Sequence, residues 1–403
     1  MSPQAYATIR ACPICGGHEA VALHGQCFVL PEGSPLPSAY TVASCEICGT
    51  CFADTSAPQR AYDLHYRQFS RYDDRSFGTG GGTSELDRER LAETAALIAQ
   101  QSLPRGIASR VLDIGCAGGG LLLALRDCGF ENLAGMDPSP ACVERVRRHG
   151  FACRQGMFSD IHQAPPEEAT CDVVILSHVV EHLVDVRKAM LAVRNLLDQD
   201  GVCYVEVPDA SRYVADKFVP FYFFDSEHIN HFDRATLHNL ARVTGFDVLC
   251  DGERDLRVDG DNLYPAAWAL LRKSATIRKP APETALRTAL AAYVESSPNA
   301  LDWSGLDDLA ERGCPVLLWG AGSHAQRLLQ ASPLARCNLV GVVDRDPGKQ
   351  GLALLGHSIH APEDVLEDLD PDVTIVIASV LHGDQIAASI AGSGLLNPLV
   401  VAR

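Results

Sequence analysis

Short apolar runs alternate with helically spaced segments from Arg110 to about Leu249. The runs are RVLDIG, NLAGMD, DVVILS and VCYVEV. This alternation predicts a parallel α/β sheet, because each buried parallel strand is followed by a helix that crosses back over the sheet. A second pattern of the same kind begins at PVLLWGAG and continues through LVGVVD to VTIVIA. We therefore expect an α/β protein with two strand-led units.

Changes in this pattern predict five parts. They are a head at 1–60, a linker and leading helix at 61–108, a central α/β domain at 109–250, a connecting and mostly helical segment at 251–312, and a C-terminal Rossmann-like α/β domain at 313–403. The glycine-rich stretch 78–83 predicts a mobile linker or lid. Ser84, with Asp87 three residues later, predicts the N-cap of the leading helix.

Four cysteines in the head have the spacing of a metal site. Cys12 and Cys15 form one C-x2-C pair, and Cys45 and Cys48 form another. Two such pairs on facing turns supply the four sulfur ligands that Zn²⁺ prefers in closed structural sites. Reduced core thiols and a redox pair are the alternatives. We expect structural zinc, because four protein ligands leave no open position for catalysis.

The charge of the chain bears on its partners. With 34 Lys and Arg against 51 Asp and Glu, the formal net charge is −17. An acidic chain is a poor nucleic-acid binder, because phosphate contacts need clustered cations. No apolar run approaches the roughly 18 residues of a membrane span, and the first residues lack the pattern of a secretory signal. The expectation is a soluble cytoplasmic protein without nucleic-acid or membrane partners.

The first strand of the central domain leads into a candidate cofactor loop. Its sequence, VLDIGCAGGG, begins at Val111 and precedes the helical run LLLALRDCGF. A glycine turn at a helix N-terminus receives an anionic group, but the G-x-G-x-x-G pattern of dinucleotide sites is absent. Asp113, two residues before Gly115, suits a ligand with an ammonium group beside its carboxylate, as in S-adenosylmethionine. Asp137, at the next strand end, is placed to accept both ribose hydroxyls.

These motifs resemble those of the class I methyltransferases. The family's first motif, D-x-G-C-G-x-G, is matched except at its middle glycine, where Ala117 is tolerable if its φ is negative. CDVVILSHVVEH and LLDQDG match two later motifs. The resemblance implies that Gly115, Cys116, Ala117 and Gly119 form the cofactor loop, that Asp160 lies near the adenine, and that Ser177 and His178 line the cofactor cleft. It also implies that Glu181 and His182 pack at a helix start.

A histidine-containing segment follows where the methyl acceptor is expected. FDSEHINHF contains Glu227, His228 and His231. A histidine beside a carboxylate offers a general base and a group to orient it. Surface or packing roles are the alternatives for these histidines.

The order of the parts resembles the sugar C-methyltransferases that act on nucleotide-linked 4-keto-deoxysugars. That family has a zinc-binding head, a central methyltransferase domain and a C-terminal Rossmann-like domain. The resemblance implies that His228 removes a proton next to the carbonyl while Glu227 holds its tautomer, although Ser226 stands where the family has another histidine. Tyr62, Tyr66 and Tyr72 are candidates for the family's catalytic tyrosine, with Tyr66 and Tyr72 preferred. O- or N-methylation of a glycan or small secondary metabolite is the alternative to C-methylation. In either case we expect a monomer or homodimer.

The C-terminal unit contains a second glycine turn. Gly320 opens the pattern G-x-G-x-x-A, and Asp344 ends the next strand. Taken alone, this pattern is compatible with NAD binding and an oxidoreductase. In a methyltransferase the turn would receive the diphosphate of a nucleotide-sugar or be a vestigial scaffold. An inactive zinc-headed scaffold is the remaining alternative, and the intact cofactor loop argues against it.

Overall fold

The computed structural model describes residues 5–68, 80–158, 160, 170–215, 219–259, 262–300, 303–380 and 382–402. These residues form sheets of five, seven and six strands. In chain order the strands are β1 (Ala5–Ala7), β2 (Glu19–Cys27), β3 (Ala39–Cys45), β4 (Cys51–Asp54), β5 (Arg110–Ile114), β6 (Asn132–Asp137), β7 (Ala152–Gln155), β8 (Cys171–Ser177), β9 (Leu197–Pro208), β10 (Asn230–His231), β11 (Phe246–Asp259), β12 (Asn262–Lys273), β13 (Pro315–Trp319), β14 (Asn338–Val343), β15 (Ala353–Leu354), β16 (His357–His360), β17 (Thr374–Ile377) and β18 (Leu399–Val401).

Helices cover the sheets and connect their strands. In chain order they are α1 (Gln59–Gln68), α2 (Glu85–Ala99), α3 (Gly120–Asp127), α4 (Pro140–Arg148), α5 (Val186–Leu196), α6 (Arg234–Thr244), α7 (Ala285–Ser296), α8 (Ser304–Arg312), α9 (Ser323–Ala331), α10 (Glu363–Leu366) and α11 (Gly383–Gly392). Helix α2 begins as expected, because the Ser84 side chain accepts a hydrogen bond from the Asp87 amide. The first two residues of the predicted linker 78–83 lie outside the described residues. No helix among the described residues has the length and apolar character needed to cross a membrane.

The seven-stranded sheet has the order β11-β12-β9-β8-β5-β6-β7. Strands β5 to β9 are parallel, and the hairpin β11-β12 joins β9 in antiparallel register. The apolar residues of β8 are fully buried, as expected for a strand covered on both faces. The predicted boundary at residue 250 is wrong, because this sheet continues to Lys273. The sequence pattern did not predict the hairpin β11-β12, because the edge strand β11 is rich in polar residues and lacks the apolar run of a buried strand.

The five-stranded sheet of the head has the antiparallel order β1-β2-β3-β4-β10. Strand β10 comes from the segment that follows the central parallel strands, and Asn230 pairs with Phe52. Arg10 Nη2 also donates to Asn230 Oδ1 at 2.6 Å. The head is therefore joined to the segment that contains the candidate base.

The six-stranded sheet has the order β15-β16-β14-β13-β17-β18 and is parallel except for β15. It contacts the head directly, since the Val29 amide donates to the Gln326 carbonyl at 2.9 Å and the Glu32 amide donates to the Ala353 carbonyl at 2.8 Å. Backbone hydrogen bonds therefore join the head to the C-terminal unit.

Candidate functional site

The four cysteines with metal-site spacing form one cluster. Cys12 Sγ lies 3.6 Å from Cys48 Sγ, and Cys15 Sγ lies 3.4 Å from Cys45 Sγ. Zn–S bonds of about 2.3 Å in a tetrahedral site place sulfurs roughly 3.8 Å apart. The donor type, number and spacing therefore fit Zn²⁺.

Glycines shape both turns of this cluster. Gly16 and Gly49 have φ values of 78° and 76°. A Cβ on Gly49 would lie 1.5 Å from the Glu283 carbonyl oxygen, so this turn packs tightly against the segment before α7. The second turn thus accepts only glycine, for conformational and packing reasons together.

The candidate cofactor loop follows β5 with the geometry of a tight glycine turn. Gly115 has a φ of 78°, and a Cβ there would lie 2.7 Å from Val179 Cγ2. Gly119 is the N-cap of α3, with a φ of 84°. Cys116 is buried against Gly135. The loop leaves backbone close to the space before α3, where a ligand carboxylate can approach the helix N-terminus.

Ala117 adopts a left-handed conformation. Its φ is 45°, so the expected negative φ is wrong. The turn imposes this value while the Ala117 amide donates to Asp137 Oδ2 at 2.8 Å. Because a Cβ in this region costs roughly 1–2 kcal/mol, Ala117 is strained where a glycine would be relaxed.

Two buried acids end adjacent strands at this loop. Asp113 is 3% exposed, and Asp137 is 6% exposed. Burial, together with the nearby charge of Asp137, raises the pKa of Asp113 to about 7. The Asp137 carboxylate is stabilised by the backbone, because its Oδ1 accepts a hydrogen bond from the Ser139 amide at 2.9 Å. A cationic ligand group beside Asp113 would relieve its unfavourable charge.

His178 follows β8 with a φ of 55°. Its Nδ1 lies 3.4 Å from Glu181 Oε1, and its Nε2 lies 3.5 Å from Glu206 Oε1. Burial alone would lower the pKa of His178, but the two carboxylates raise it to about 9. Ser177 Oγ lies 3.4 Å from the same Glu206 oxygen. The end of β8 therefore carries a network of charged side chains, His178, Glu181 and Glu206, beside the cofactor loop.

Asp160 has a local role in the structure. Its Oδ2 accepts a hydrogen bond from the Met157 amide at 2.8 Å. The cavity wall at this point is formed by Gly156, Met157 and Phe158. The expected position of Asp160 at the adenine edge remains a prediction.

A cavity of about 490 Å³ lies between the cofactor loop, the predicted acceptor segment and the C-terminal unit. Its wall includes Asp113 and Gly115 from the cofactor loop, His228 from the predicted acceptor segment, and Gly320 and Arg327 from the C-terminal unit. This volume is in the range of small-molecule sites. The structure thus brings to one space residues that are far apart in sequence.

The carboxylate facing the His228 ring belongs to Asp225. His228 Nδ1 lies 3.9 Å from Asp225 Oδ2, while Asp225 Oδ1 accepts from the amides of Glu227 and His228 at 2.8 and 2.6 Å. Glu227 instead places its Oε1 3.5 Å from His65 Nε2. The expectation that Glu227 orients His228 is therefore corrected: the turn directs these two adjacent side chains toward different partners.

The remaining candidates occupy distinct environments. Tyr66 lines the cavity, with its ring 5.7 Å from that of His182, whereas Tyr62 is 1% exposed and donates to Thr55 Oγ1. Tyr72 lies outside the described residues. His231 is fully buried in the strand β10, and burial lowers its pKa to about 3. The structure therefore brings Tyr66 to the cavity and places His231 in the core.

The second glycine turn repeats the geometry of the first. The Ala321 amide donates to Asp344 Oδ2 at 2.8 Å, and Lys349 Nζ lies 3.1 Å from the same oxygen. Arg327, on α9, is 6% exposed, and its Nε has no hydrogen-bond partner within the described residues. Burial lowers the pKa of Arg327. This side chain gives the C-terminal wall of the cavity a buried cation.

Sequence reasoning missed three of these residues, although each had a signal. Asp225 precedes His228 by three residues, a spacing at which side chains meet in a tight turn. Glu206 is a charged residue inside the apolar run VCYVEV, and Arg327 lies one turn after the glycine turn GAGS at the start of α9. Buried charges are costly without partners, so charges at core positions point to a site.

Comparison with known proteins agrees with this geometry. A family model described as a methyltransferase domain matches residues 86–251. The ribosomal protein L11 methyltransferase of Photobacterium profundum is 27% identical over 118 residues, which are 28% of this chain and 40% of that protein. The chain therefore matches less than half the length of this curated relative.

Several solved structures are similar over about half of the chain. An S-adenosylmethionine-dependent methyltransferase from Mesorhizobium loti is 16% identical, covering 45% of this chain and 98% of its own, with a TM-score of 0.36. Magnesium protoporphyrin IX methyltransferase from Synechocystis PCC 6803 is 14% identical, covering 54% of this chain and 100% of its own, with a TM-score of 0.39.

The family match covers the strands that carry both buried acids, the cofactor loop and His178. The expectation of a methyltransferase drawn from these motifs is confirmed. The chain contains an S-adenosylmethionine-dependent methyltransferase domain, matched over residues 86–251.

Proposed function

We propose that the protein methylates a carbon atom of a nucleotide-linked keto-deoxysugar through an enolate formed by His228. The observation that carries this proposal is the shared cavity, in which His228 and Arg327 line the same space as Asp113 and the cofactor loop. An acceptor there would meet a base, a methyl donor and a buried cation.

His228 performs the proton transfer in this proposal. The neutral ring removes a proton from the carbon next to the carbonyl, and the electron pair of that C–H bond becomes the enolate. Asp225 faces Nδ1 and favours the tautomer that leaves Nε2 free to accept the proton. Tyr66 at the cavity wall is the candidate donor to the enolate oxygen.

The cofactor loop and its two acids align the donor. S-adenosylmethionine supplies an electrophilic methyl group on a sulfonium sulfur. In this assignment Asp113 holds the ammonium group and Asp137 holds the ribose hydroxyls, while the α3 N-terminus faces the carboxylate. With the donor bound, the enolate carbon would form its bond to the methyl group as the sulfur–methyl bond broke, and a neutral thioether would leave. Positioning supplies most of the acceleration of such an in-line displacement.

The C-terminal wall suits a negatively charged acceptor. Arg327 is buried at the cavity beside the glycine turn and the N-terminus of α9. A diphosphate would neutralise this cation and receive hydrogen bonds from backbone amides. NAD could bind at the same glycine turn, but a methyl transfer does not require a hydride carrier.

The four-cysteine cluster belongs to the proposal as a structural zinc site. Cys12, Cys15, Cys45 and Cys48 supply all four ligands, so the ion would hold the two turns of the head together. Its expected contribution is to folding and to the placement of β10, whose segment includes the base.

Methylation at oxygen or nitrogen is the second candidate. His228 could equally deprotonate a hydroxyl group of a glycan or a small secondary metabolite. The two chemistries differ in one observable, because only enolate formation exchanges a carbon-bound proton with solvent.

Mass spectrometry in D2O tests the proposal. A nucleotide-linked 4-keto-6-deoxysugar should gain deuterium without the methyl donor and gain a methyl group with it. His228→Ala should remove both signals, whereas His238→Ala is the matched control on the exposed face of α6. Absence of both signals in a protein that binds S-adenosylmethionine would refute the keto-sugar assignment. Methyl gain on a hydroxyl acceptor without deuterium uptake would favour the second candidate.

A further inference from the structure

The cavity wall contains a group of metal-ligand side chains that is separate from the four-cysteine cluster of the head. Glu181 and His182 belong to the 3-10 helix Val180–His182, and His228 approaches from the acceptor segment. One ligand atom from each of the three lies within 4.8 Å of the others. The His182 and His228 ring centroids are 4.8 Å apart, and His182 Nε2 lies 4.0 Å from Glu181 Oε1.

We propose that Glu181, His182 and His228 bind a divalent transition-metal ion such as Zn²⁺, and that this ion inhibits methylation by occupying the ring nitrogen of the base. The binding site is independent of the reaction catalysed. Its inhibitory consequence rests on the proposed function of His228.

Glu181 gives the first support, because it is a buried anion with unused acceptor capacity. The residue is 0% exposed, and neither carboxylate oxygen receives a hydrogen bond within the described residues. His178 Nδ1 lies 3.4 Å from one of these oxygens, Oε1. A buried carboxylate with an unengaged oxygen beside two imidazoles is a suitable anionic ligand for a cation.

The outer contacts of the two histidines give the second support. His182 Nδ1 lies 3.1 Å from the Glu227 carbonyl oxygen, which fixes the proton on Nδ1 and leaves the lone pair on Nε2. His228 Nδ1 faces the Asp225 carboxylate at 3.9 Å. Metal-bound histidines commonly donate their second N–H to a carbonyl or carboxylate, as His182 does. For His228 the carboxylate lies nearby, but Nδ1 forms no hydrogen bond within the described residues.

The donor set decides the class of ion. Two imidazoles and one carboxylate suit zinc and its neighbours in the first transition row, whereas Mg²⁺ and Ca²⁺ prefer oxygen ligands alone. Bonds of about 2.0–2.2 Å place tetrahedral ligand atoms roughly 3.4 Å apart. The ligand atoms lie within 4.8 Å of one another, so they must approach by up to about 1.4 Å on binding. Three protein ligands leave a position open to the cavity.

Cobalt titration of the full-length protein with its cysteine cluster loaded with zinc tests the site. We expect one additional Co²⁺ per chain, with visible d–d absorption but without a thiolate charge-transfer band. Glu181→Gln and His228→Ala should each lower the affinity at least tenfold, while the exposed Glu253→Gln leaves it unchanged. His228→Ala is the second variant in case the buried Glu181→Gln fails to fold. No additional Co²⁺, or binding that survives both substitutions in folded protein, would overturn the site.

The inhibitory consequence is measured on the same preparations. Added Zn²⁺ should suppress deuterium exchange into the keto-sugar, and a chelator too weak to strip the cysteine cluster should restore it. The protein could bind Co²⁺ and yet show no deuterium exchange after the added ion is removed. That result would support the metal site and count against the proposed function. Exchange that proceeds unchanged in the presence of bound Zn²⁺ would overturn the inhibition.

Discussion

Asp225 and His228 are linked by the backbone as well as by their side chains. Asp225 Oδ1 accepts the His228 amide at 2.6 Å, while Oδ2 faces His228 Nδ1 at 3.9 Å. One carboxylate therefore shapes the turn and faces the ring that the turn presents to the cavity. This arrangement makes Asp225 a positioning residue for the proposed base.

Asp225→Asn should slow deuterium exchange into the keto-sugar by about 10- to 100-fold, because the amide no longer favours the reactive tautomer. Glu227→Gln is the matched control and should have a smaller effect on exchange. An equal loss in both variants would contradict the assignment of Asp225 as the orienting group.

Cofactor affinity should depend on the ionisation of Asp113. Its pKa is raised to about 7, so the folded protein holds a proton that the unfolded chain releases above its ordinary pKa of 3.8. Stability of the ligand-free protein therefore falls as the pH rises between these two values. Binding of an ammonium group favours the ionised form, so S-adenosylmethionine affinity should rise by up to about tenfold per pH unit below 7 and level off above it.

Calorimetric titration across this pH range measures the effect. Asp113→Asn should bind the cofactor weakly at every pH and should lose the part of the pH dependence that comes from Asp113. An unchanged profile in this variant would show that another group, such as the cofactor's own amine, sets the dependence.

Ala117→Gly should stabilise the protein. At a φ of 45° the Cβ costs roughly 1 kcal/mol or more, which exceeds the entropy penalty of introducing glycine. Thermal unfolding should therefore occur at a higher temperature. Ala124→Gly in the interior of α3 is the control and should lower the unfolding temperature, because glycine disfavours a helix. A decrease with Ala117→Gly would mean that packing of the methyl group outweighs the strain.

Removal of one cluster cysteine should remove the proposed zinc. Cys48→Ser should lower the bound zinc measured by elemental analysis from one ion per chain to a small fraction, and it should destabilise the head. Cys27→Ser, which changes an exposed cysteine outside the cluster, should retain the ion. Full zinc content in Cys48→Ser would contradict the four-cysteine assignment.

The sequence by itself predicted the features that are local along the chain. The run that ends in Asp113 and Gly115 identified both a strand and its turn, because burial and backbone conformation there depend on neighbouring residues. Spacing alone was likewise enough to pair Cys12 and Cys15 with Cys45 and Cys48. The match of a methyltransferase family model to residues 86–251 confirms the predicted class of enzyme. The identity of the methyl acceptor remains a proposal.

Only the tertiary structure decided which distant groups meet. Periodicity cannot show that Asn230 pairs with Phe52, or that the polar strand β11 completes the central sheet. It cannot show that Glu227 faces His65 while Asp225 faces His228, because the direction of a side chain in a turn depends on backbone angles. The acceptor side of the cavity is lined by side chains from α1, from the segment before β10 and from the C-terminal unit. Its geometry therefore follows from long-range packing, which local sequence patterns do not encode.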